Sequence, residues 1–328
     1  MVQRSTIVNN IFDENISFTE KAFQLWQYQF ENNNVYNQWC SLLHAGKTTI
    51  QSLSSIPFLP ISFFKTHKVL SALFEPQHIF ESSGTTGTIN SRHYVRDAAL
   101  YRQSFMRGFE MFYDDIKDWC IIGLLPAYLE RKNSSLIVMA DALIQESNHE
   151  QSGFYLYEFE QVKKLLAELE QQKQKTLLIG VTFALLYFAE QFPMQLQHTV
   201  IMETGGMKGR RKELTRQEVH AALIKSFGVS TIHSEYGMTE LLSQAYSKGN
   251  GRFYCPPWMR VFVRDEEDPL IVKEKGRGVL NIIDLANIDS CSFIATDDVG
   301  IVYEDGSFEV HGRIDNSDIR GCSLLVVQ

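Results

Sequence analysis

The chain has 328 residues, 44% hydrophobic and 21% charged, with a formal net charge of -8. That composition is ordinary for a folded globular protein with a large core. Its one basic run, Lys208-Gly209-Arg210-Arg211-Lys212, is short and adjoins Glu213, which argues against nucleic acid as a main partner.

The first seventeen residues mix Arg4, Asn9, Asn10, Asp13 and Glu14 with apolar side chains, unlike a signal peptide. No stretch approaches the ~20 apolar residues of a membrane span. The expectation is a cytoplasmic protein. Five cysteines, Cys40, Cys120, Cys255, Cys291 and Cys322, show neither a CxxC nor a Cys/His ligand spacing, so neither a disulfide framework nor structural zinc is expected.

In chain order, residues 1–65 read as a helical, aromatic-rich lead-in, with Phe23, Trp26 and Phe30 at helical spacing and Pro57 and Pro60 near its end. From there to about 250, β-rich runs at 119–124, 135–139, 177–181 and 199–203 alternate with helical patterns at 97–112, 157–172 and 182–192. This alternation predicts an α/β sheet domain. Thr215 followed by Glu218 predicts a capping box that opens a helix. Residues 251–328 change character, with strand patterns at 258–264 and 278–285 and a hairpin joining 299–303 to 307–311 across Glu304-Asp305-Gly306. They are expected to form a smaller β subdomain.

Three segments carry the chemistry. The first is Ser82-Ser83-Gly84-Thr85-Thr86-Gly87-Thr88, after the apolar approach Ile79-Phe80. Glycines admit phosphates close to the backbone, and hydroxyls bond their oxygens. A solvated turn explains the same composition, and no Lys follows Gly87 as a P-loop would require. The second is His233-Ser234-Glu235-Tyr236-Gly237-Met238-Thr239-Glu240, where an aromatic face suits a purine and a carboxylate suits magnesium. A helix N-terminus capped by Thr239 accounts for it equally well. The third is Thr296-Asp297-Asp298, followed by Gly312-Arg313-Ile314-Asp315. Between the first two lie Gly205 and Gly206 at the end of a strand pattern.

Together and in this order, these segments resemble the adenylate-forming ligases. The resemblance implies the N-terminal-domain fold of that superfamily, an α/β architecture of mixed sheets with flanking helices, and ATP and Mg²⁺ as requirements. It implies that the loop 82–88 holds phosphates with Arg92 as its basic residue, and that Gly205 and Gly206 approach adenine. It further implies that Tyr236, preceding Gly237, stacks on the base, that Thr239 bonds the α-phosphate, and that Glu240 holds Mg²⁺. Asp298 would bond the ribose, and Arg313 belongs to the Gly-Arg-x-Asp segment. The sequence departs from the pattern at Asp297, where glycine is usual.

Fifteen residues follow Arg313, so the expectation is that the mobile C-terminal domain of larger superfamily members is absent. Most of the chain is similar to the LuxE-type acyl-protein synthetases, through the stretches 124–131, 203–206 and 320–325. In that family the acyl group passes from AMP to a cysteine near the C-terminus, and Cys322 is the matching position; as a residue type it could also be a small buried hydrophobe. His233 is a candidate general base or pocket wall, or a structural histidine. The expected reaction is activation of a carboxylic acid, fatty by resemblance, with transfer to Cys322 and then to an acceptor protein. Two alternatives stay open: direct transfer to coenzyme A or a carrier thiol, and a non-catalytic subunit that binds an acyl chain or nucleotide.

Overall fold

A computed structural model describes residues 2–46, 49–82, 89–125, 133–205 and 214–314. The chain opens with helices α1 (Arg4–Asn10), α2 (Phe18–Asn32) and α3 (Asn34–Leu42). The Ser17 hydroxyl accepts from the Glu20 amide and starts α2, and the Asn33 side chain accepts from the Tyr36 amide and starts α3. Ala22, Leu25, Trp26 and Gln29 form the buried face of α2, three and four residues apart as one helical face requires. Then come β1 (Leu59–Pro60), α4 (Phe63–Thr66) and the pair β2 (His78–Glu81) and β3 (Arg92–Val95).

Next is α5 (Ala98–Tyr113), capped by Asp97, whose carboxylate accepts from the Ala99 and Leu100 amides. The α/β region continues with β4 (Cys120–Leu124), α6 (Ser135–Ser147), β5 (Gly153–Phe154), α7 (Phe159–Gln172), β6 (Thr176–Val181), α8 (Thr182–Gln191), β7 (Thr199–Thr204), α9 (Arg216–Phe227) and β8 (His233–Tyr236). The expected capping box at Thr215 and Glu218 is present. Strand β9 (Ala245–Ser247) turns back beside β8. Among the described residues the sheet order is β5-β4-β6-β7-β8-β9, parallel except for the last pair.

One expected strand is a helix. Residues 135–139 begin α6 because the Ser134 hydroxyl caps the Ile137 amide at 3.4 Å, and the apolar run continues through Ile144, longer than a strand of this sheet. Periodicity alone does not separate a short buried strand from a buried helix.

Strands β4 and β6 are buried throughout, as parallel strands covered on both faces should be. Their side chains alternate between two cores. Ile121, Leu177, Ile179 and Met202 face one core, together with α5 and the N-terminal helices. Ile122, Leu124, Leu178 and Ile201 face the other, beneath α7, α8 and α9.

The rest of the chain, β10 (Arg252–Phe253), β11 (Met259–Arg264), β12 (Val272–Lys273), β13 (Gly276–Asp284), β14 (Phe293–Val302) and β15 (Phe308–Arg313), builds a second sheet in the order β10-β15-β14-β13-β11-β12. The expected hairpin is its β14–β15 corner, where the Tyr303 amide donates to the Ser307 carbonyl at 2.8 Å. Strand β1 joins this sheet parallel to β14, so the lead-in supplies a strand to the C-terminal sheet. A division near residues 65 and 250 remains a proposal.

Residues 284–292, between β13 and β14, are buried although polar. Gln29 of α2 donates to the Asn287 and Ile288 carbonyls at 3.0 Å and accepts from the Ser292 amide at 3.0 Å. Asn33 and Ser71 donate to the Ser290 carbonyl at 2.9 and 2.7 Å. Arg4 makes a two-pronged contact with Asp289 at 2.6 Å, the geometry in which an arginine–carboxylate pair is strongest.

Strands β14 and β15 touch closely at Gly300, where a methyl group would run into the Glu309 carbonyl oxygen. Gly300→Ala should therefore cost about 2 kcal/mol through backbone displacement, read as a lowered urea midpoint with an unchanged slope.

Candidate active site

The two sheets meet where the ends of β8 and β15 converge on the middle of β14. Tyr236, the last residue of β8, is buried against Phe308 and Phe253, with ring centroids at 5.3 and 5.8 Å. Its hydroxyl donates to Asp298 Oδ2 at 2.7 Å. Arg313, the cross-strand partner of Asp298, donates from Nε to Oδ1 at 2.7 Å. Burial, followed by the Asp298 charge, pushes the Tyr236 hydroxyl well above its ordinary value. The Asp298 charge raises the value of Arg313.

The Thr296-Asp297-Asp298 segment lies inside β14, in an irregular stretch. Pairing with β13 shifts register between Val279 and Asn281, and pairing with β15 shifts between Val299 and Gly300. A bulge re-aims side chains beside a site, and here Asp298 is the carboxylate that meets Tyr236 and Arg313. The Thr296 hydroxyl accepts from the Asp298 amide at 3.1 Å and donates to the Leu280 carbonyl at 2.8 Å, which fixes the distortion.

Beyond Gly237, the turn carrying Thr239 and Glu240 is held by its backbone. The His93 ring bridges the Thr239 carbonyl and the Asn287 side chain, both at 2.9 Å. Asn287 donates to the Glu240 carbonyl at 2.7 Å. Asp284 accepts from the Leu242 and Ser243 amides at 2.8 and 3.0 Å and from the Ser243 hydroxyl at 2.6 Å. Burial pulls His93 down to about 4; both atoms that face its ring are oxygens, so the neutral ring donates its one N–H to one of them.

The Glu240 carboxyl is buried beside Ser91, which hydrogen-bonds to it, and within the field of Arg313 and Lys65. Burial raises its value, and these neighbours hold the rise in check. Among the described residues no three His, Cys, Asp or Glu side chains form a metal cluster.

Sequence reasoning did not single out His93, Ser91, Asp284 or Asn287. Their signal is weak: a lone histidine in a strand after the Ser/Thr/Gly run, and an Asp-x-x-Asn spacing in a polar stretch between strands.

The other expected residues are dispersed. The Ser82 hydroxyl accepts from the Ser91 amide at 2.9 Å, closing the base of the loop whose residues 83–88 lie outside the described set. Arg92 pairs with Glu81 across the hairpin at 3.2 Å. The Gly205 carbonyl accepts from the Thr182 hydroxyl at 2.8 Å. Ser83, Gly84, Thr85, Thr86, Gly87, Thr88, Gly206, Asp315 and Cys322 lie outside the described residues.

His233 sits on the opposite face of β8 from Tyr236, its Nδ1 3.1 Å from the Tyr113 hydroxyl. Burial, assisted by Lys248, pulls it down to about 4. Two residues along the same face is Glu235, whose carboxyl accepts from the Thr204 hydroxyl at 2.5 Å and is pushed up to about 7 by burial. Sequence reading quoted Glu235 without assigning it a role.

Because the folded value of Glu235 exceeds 4.5, the unfolded chain ionises this group more readily. Its contribution to stability is therefore full below pH 4.5 and is lost as pH rises to about 7. Glu235→Gln should stabilise the protein relative to wild type at pH 8, and the gap should narrow by roughly 2 kcal/mol at pH 5 in urea titrations.

A family model described as "Acyl-protein synthetase, LuxE" matches residues 10–328. A long-chain-fatty-acid–luciferin-component ligase of Vibrio harveyi is 24% identical over 330 residues, covering 92% of this chain and 85% of that protein. The fold is similar to ATP-bound MatB from Rhodopseudomonas palustris, with a TM-score of 0.55 and 17% identity over 74% of this chain. The chain spans about half of that protein, 48%. It is also similar to a 2-hydroxyisobutyryl-CoA ligase in its postadenylation state, with a TM-score of 0.62 and 12% identity over 95% of this chain and 68% of that one. At these identities the structural likeness establishes the fold, that of adenylate-forming ligases. No helix among the described residues is long and apolar enough to cross a membrane.

Proposed function

The chain belongs to the LuxE acyl-protein synthetase family, and from that premise we propose that it activates a fatty acid with ATP to an acyl-adenylate and transfers the acyl group to a thiol. The observation that carries this reading is the meeting of Tyr236, Asp298 and Arg313, 77 residues of sequence folded into one hydrogen-bonded trio, with Glu240 in the field of the same arginine.

In the first half-reaction a carboxylate oxygen of the acid attacks the α-phosphorus of ATP, the bond to the bridging oxygen breaks, and pyrophosphate leaves. Asp298 accepts hydrogen bonds from the ribose hydroxyls, a charge-assisted contact of a kind worth about 1.5–3 kcal/mol. Arg313 orients that carboxylate through its hydrogen bond to Oδ1. Tyr236 offers an aromatic surface to the base. Thr239, its carbonyl fixed by His93, presents its side chain to the α-phosphate, while Ser82 to Thr88 and Arg92 receive the pyrophosphate side.

Magnesium fits Glu240: the donor is a hard carboxylate oxygen, and this ion takes one or two carboxylates alongside substrate phosphates rather than an all-protein cage. When bound it would neutralise phosphate charge. Glu240 would hold it, with Ser91 orienting the carboxylate. His233, neutral at physiological pH, can accept a proton, although its bond to Tyr113 makes it chiefly a wall of the acid pocket in this reading.

In the second half-reaction a thiolate attacks the acyl carbon, the acyl–phosphate bond breaks, AMP leaves and a thioester forms. Burial pushes Cys40 and Cys120 up to about 11 and raises Cys255 and Cys291 as well. These four are stored as thiols, which supports Cys322 as the acceptor, from which an acceptor protein takes the acyl group. The setting is the cytoplasm.

ATP–pyrophosphate exchange across a panel of acids tests the first step. Glu240→Ala should lower exchange by on the order of a hundredfold. Asp298→Ala should raise the KM for ATP by about tenfold or more. Cys322→Ser should keep exchange and lose self-acylation by labelled acid. If it instead retains full thioester formation with coenzyme A, the acceptor is coenzyme A.

A further inference from the structure

The face of β8 opposite the nucleotide trio carries polar groups without partners. The Tyr246 hydroxyl and Gln244 Oε1 are buried, at 1% and 5% residue exposure, and neither has a hydrogen-bond partner among the described residues. Leaving such groups unpaired costs about 1–3 kcal/mol each, so a retained pair of them marks a place where something binds.

The groups are gathered by strand register. Glu235 and Tyr246 are cross-strand partners, and Gln244, two residues before Tyr246, projects to the same face. A side-chain carbon on Gly237 would meet both the Glu235 Oε1 atom and, at 3.4 Å, the Gln244 Cγ atom. The Glu235 carboxyl thus lies over bare backbone. Gly237 is exposed and Glu235 half-buried, whereas Gln244 and Tyr246 are buried, so the cluster runs from solvent at Gly237 inward to Tyr246. The strands β7 and β8 end here, and ligands bind at the carboxyl ends of parallel strands.

We propose that Glu235, Gln244 and Tyr246 form a specificity site for a hydroxyl group on the carboxylic acid, so that the preferred substrate is a hydroxylated acid rather than a plain alkyl one. The site rests on the acid-activating reading above. A hydroxyl answers both unpartnered groups at once: it donates to Gln244 Oε1 and accepts from the Tyr246 O–H, beside Glu235. An ammonium only donates and leaves the Tyr246 proton unpaired. An alkyl chain leaves Gln244 Oε1 and the Tyr246 hydroxyl unpaired, the circumstance in which a polar pocket discriminates most strongly.

The surroundings are otherwise aromatic. Tyr246 packs on Phe112 and Tyr113 at 5.2 and 5.5 Å, which suits the carbon chain on either side of a hydroxyl. The competing occupant is a bound water, which has the same hydrogen-bonding capacity.

The test is pyrophosphate exchange by the full chain with acids of matched length: unsubstituted, hydroxylated at successive carbons, and amino-substituted. The wild type is expected to favour one hydroxylated isomer in kcat/KM by at least about tenfold. Tyr246→Phe, which removes one oxygen and keeps the ring, should reduce that preference severalfold, and Glu235→Leu should shift it toward the unsubstituted acid. Equal use of all acids means that water fills the recess, and overturns this site while leaving the ligase intact. A preference for the amino acids overturns the hydroxyl assignment, and a hydroxyl preference that survives both variants overturns the residues. Absence of exchange with every acid overturns the ligase reading itself and this site with it.

Discussion

The structure depends on a polar segment buried in an apolar core. Residues 284–292 are satisfied from one side by Arg4, Gln29, Asn33 and Ser71 and from the other by His93, and Asn287 and Asp284 pass that support on to the backbone at Thr239, Glu240 and Ser243. A buried network of this kind stabilises only when every member is paired. Losing one partner strands the others without water, so the helices of the lead-in are part of the support of the site, although none of their residues is assigned contact with nucleotide.

The nucleotide trio has the opposite character. Tyr236 comes from the parallel sheet, and Asp298 and Arg313 come from the antiparallel one, so a single carboxylate fastens the seam between the sheets. In the absence of nucleotide Asp298 already has two charge-assisted or hydroxyl partners. In the proposed function a ribose would share or replace them, and because Arg313 is largely exposed its water shell can take over part of the bonding.

The parts of this arrangement that were legible in the sequence are those whose chemistry is local. The Thr215–Glu218 cap announces itself within a few residues, and Tyr236, Asp298 and Arg313 stand in short motifs that the fold brings together. The strand–helix alternation after residue 97 was legible for the same reason, except at 135–139, where a buried apolar run has no period that tells helix from strand. His93, Asp284 and Asn287 were not legible, since each gains its meaning from a partner 41 or more residues away, such as Ser243 for Asp284, the Glu240 carbonyl for Asn287 and Asn287 itself for His93. Glu235 sat inside a recognised motif, yet only the strand and its register with Tyr246 show that it faces away from the Tyr236 side.

The span of the supporting contacts also governs when the protein can become competent. Gln29 meets Asn287 across 258 residues of chain, and β1 finds its place only beside β14. Contacts of such separation close late and slowly. While the ribosome is still building the antiparallel sheet, α2 must wait with its buried face uncovered and Gln29 unsatisfied, and the turn at Glu240 has nothing to brace it. An emerging chain of this kind holds no partly working ligase, and it is during that interval that a chaperone would have most to shield.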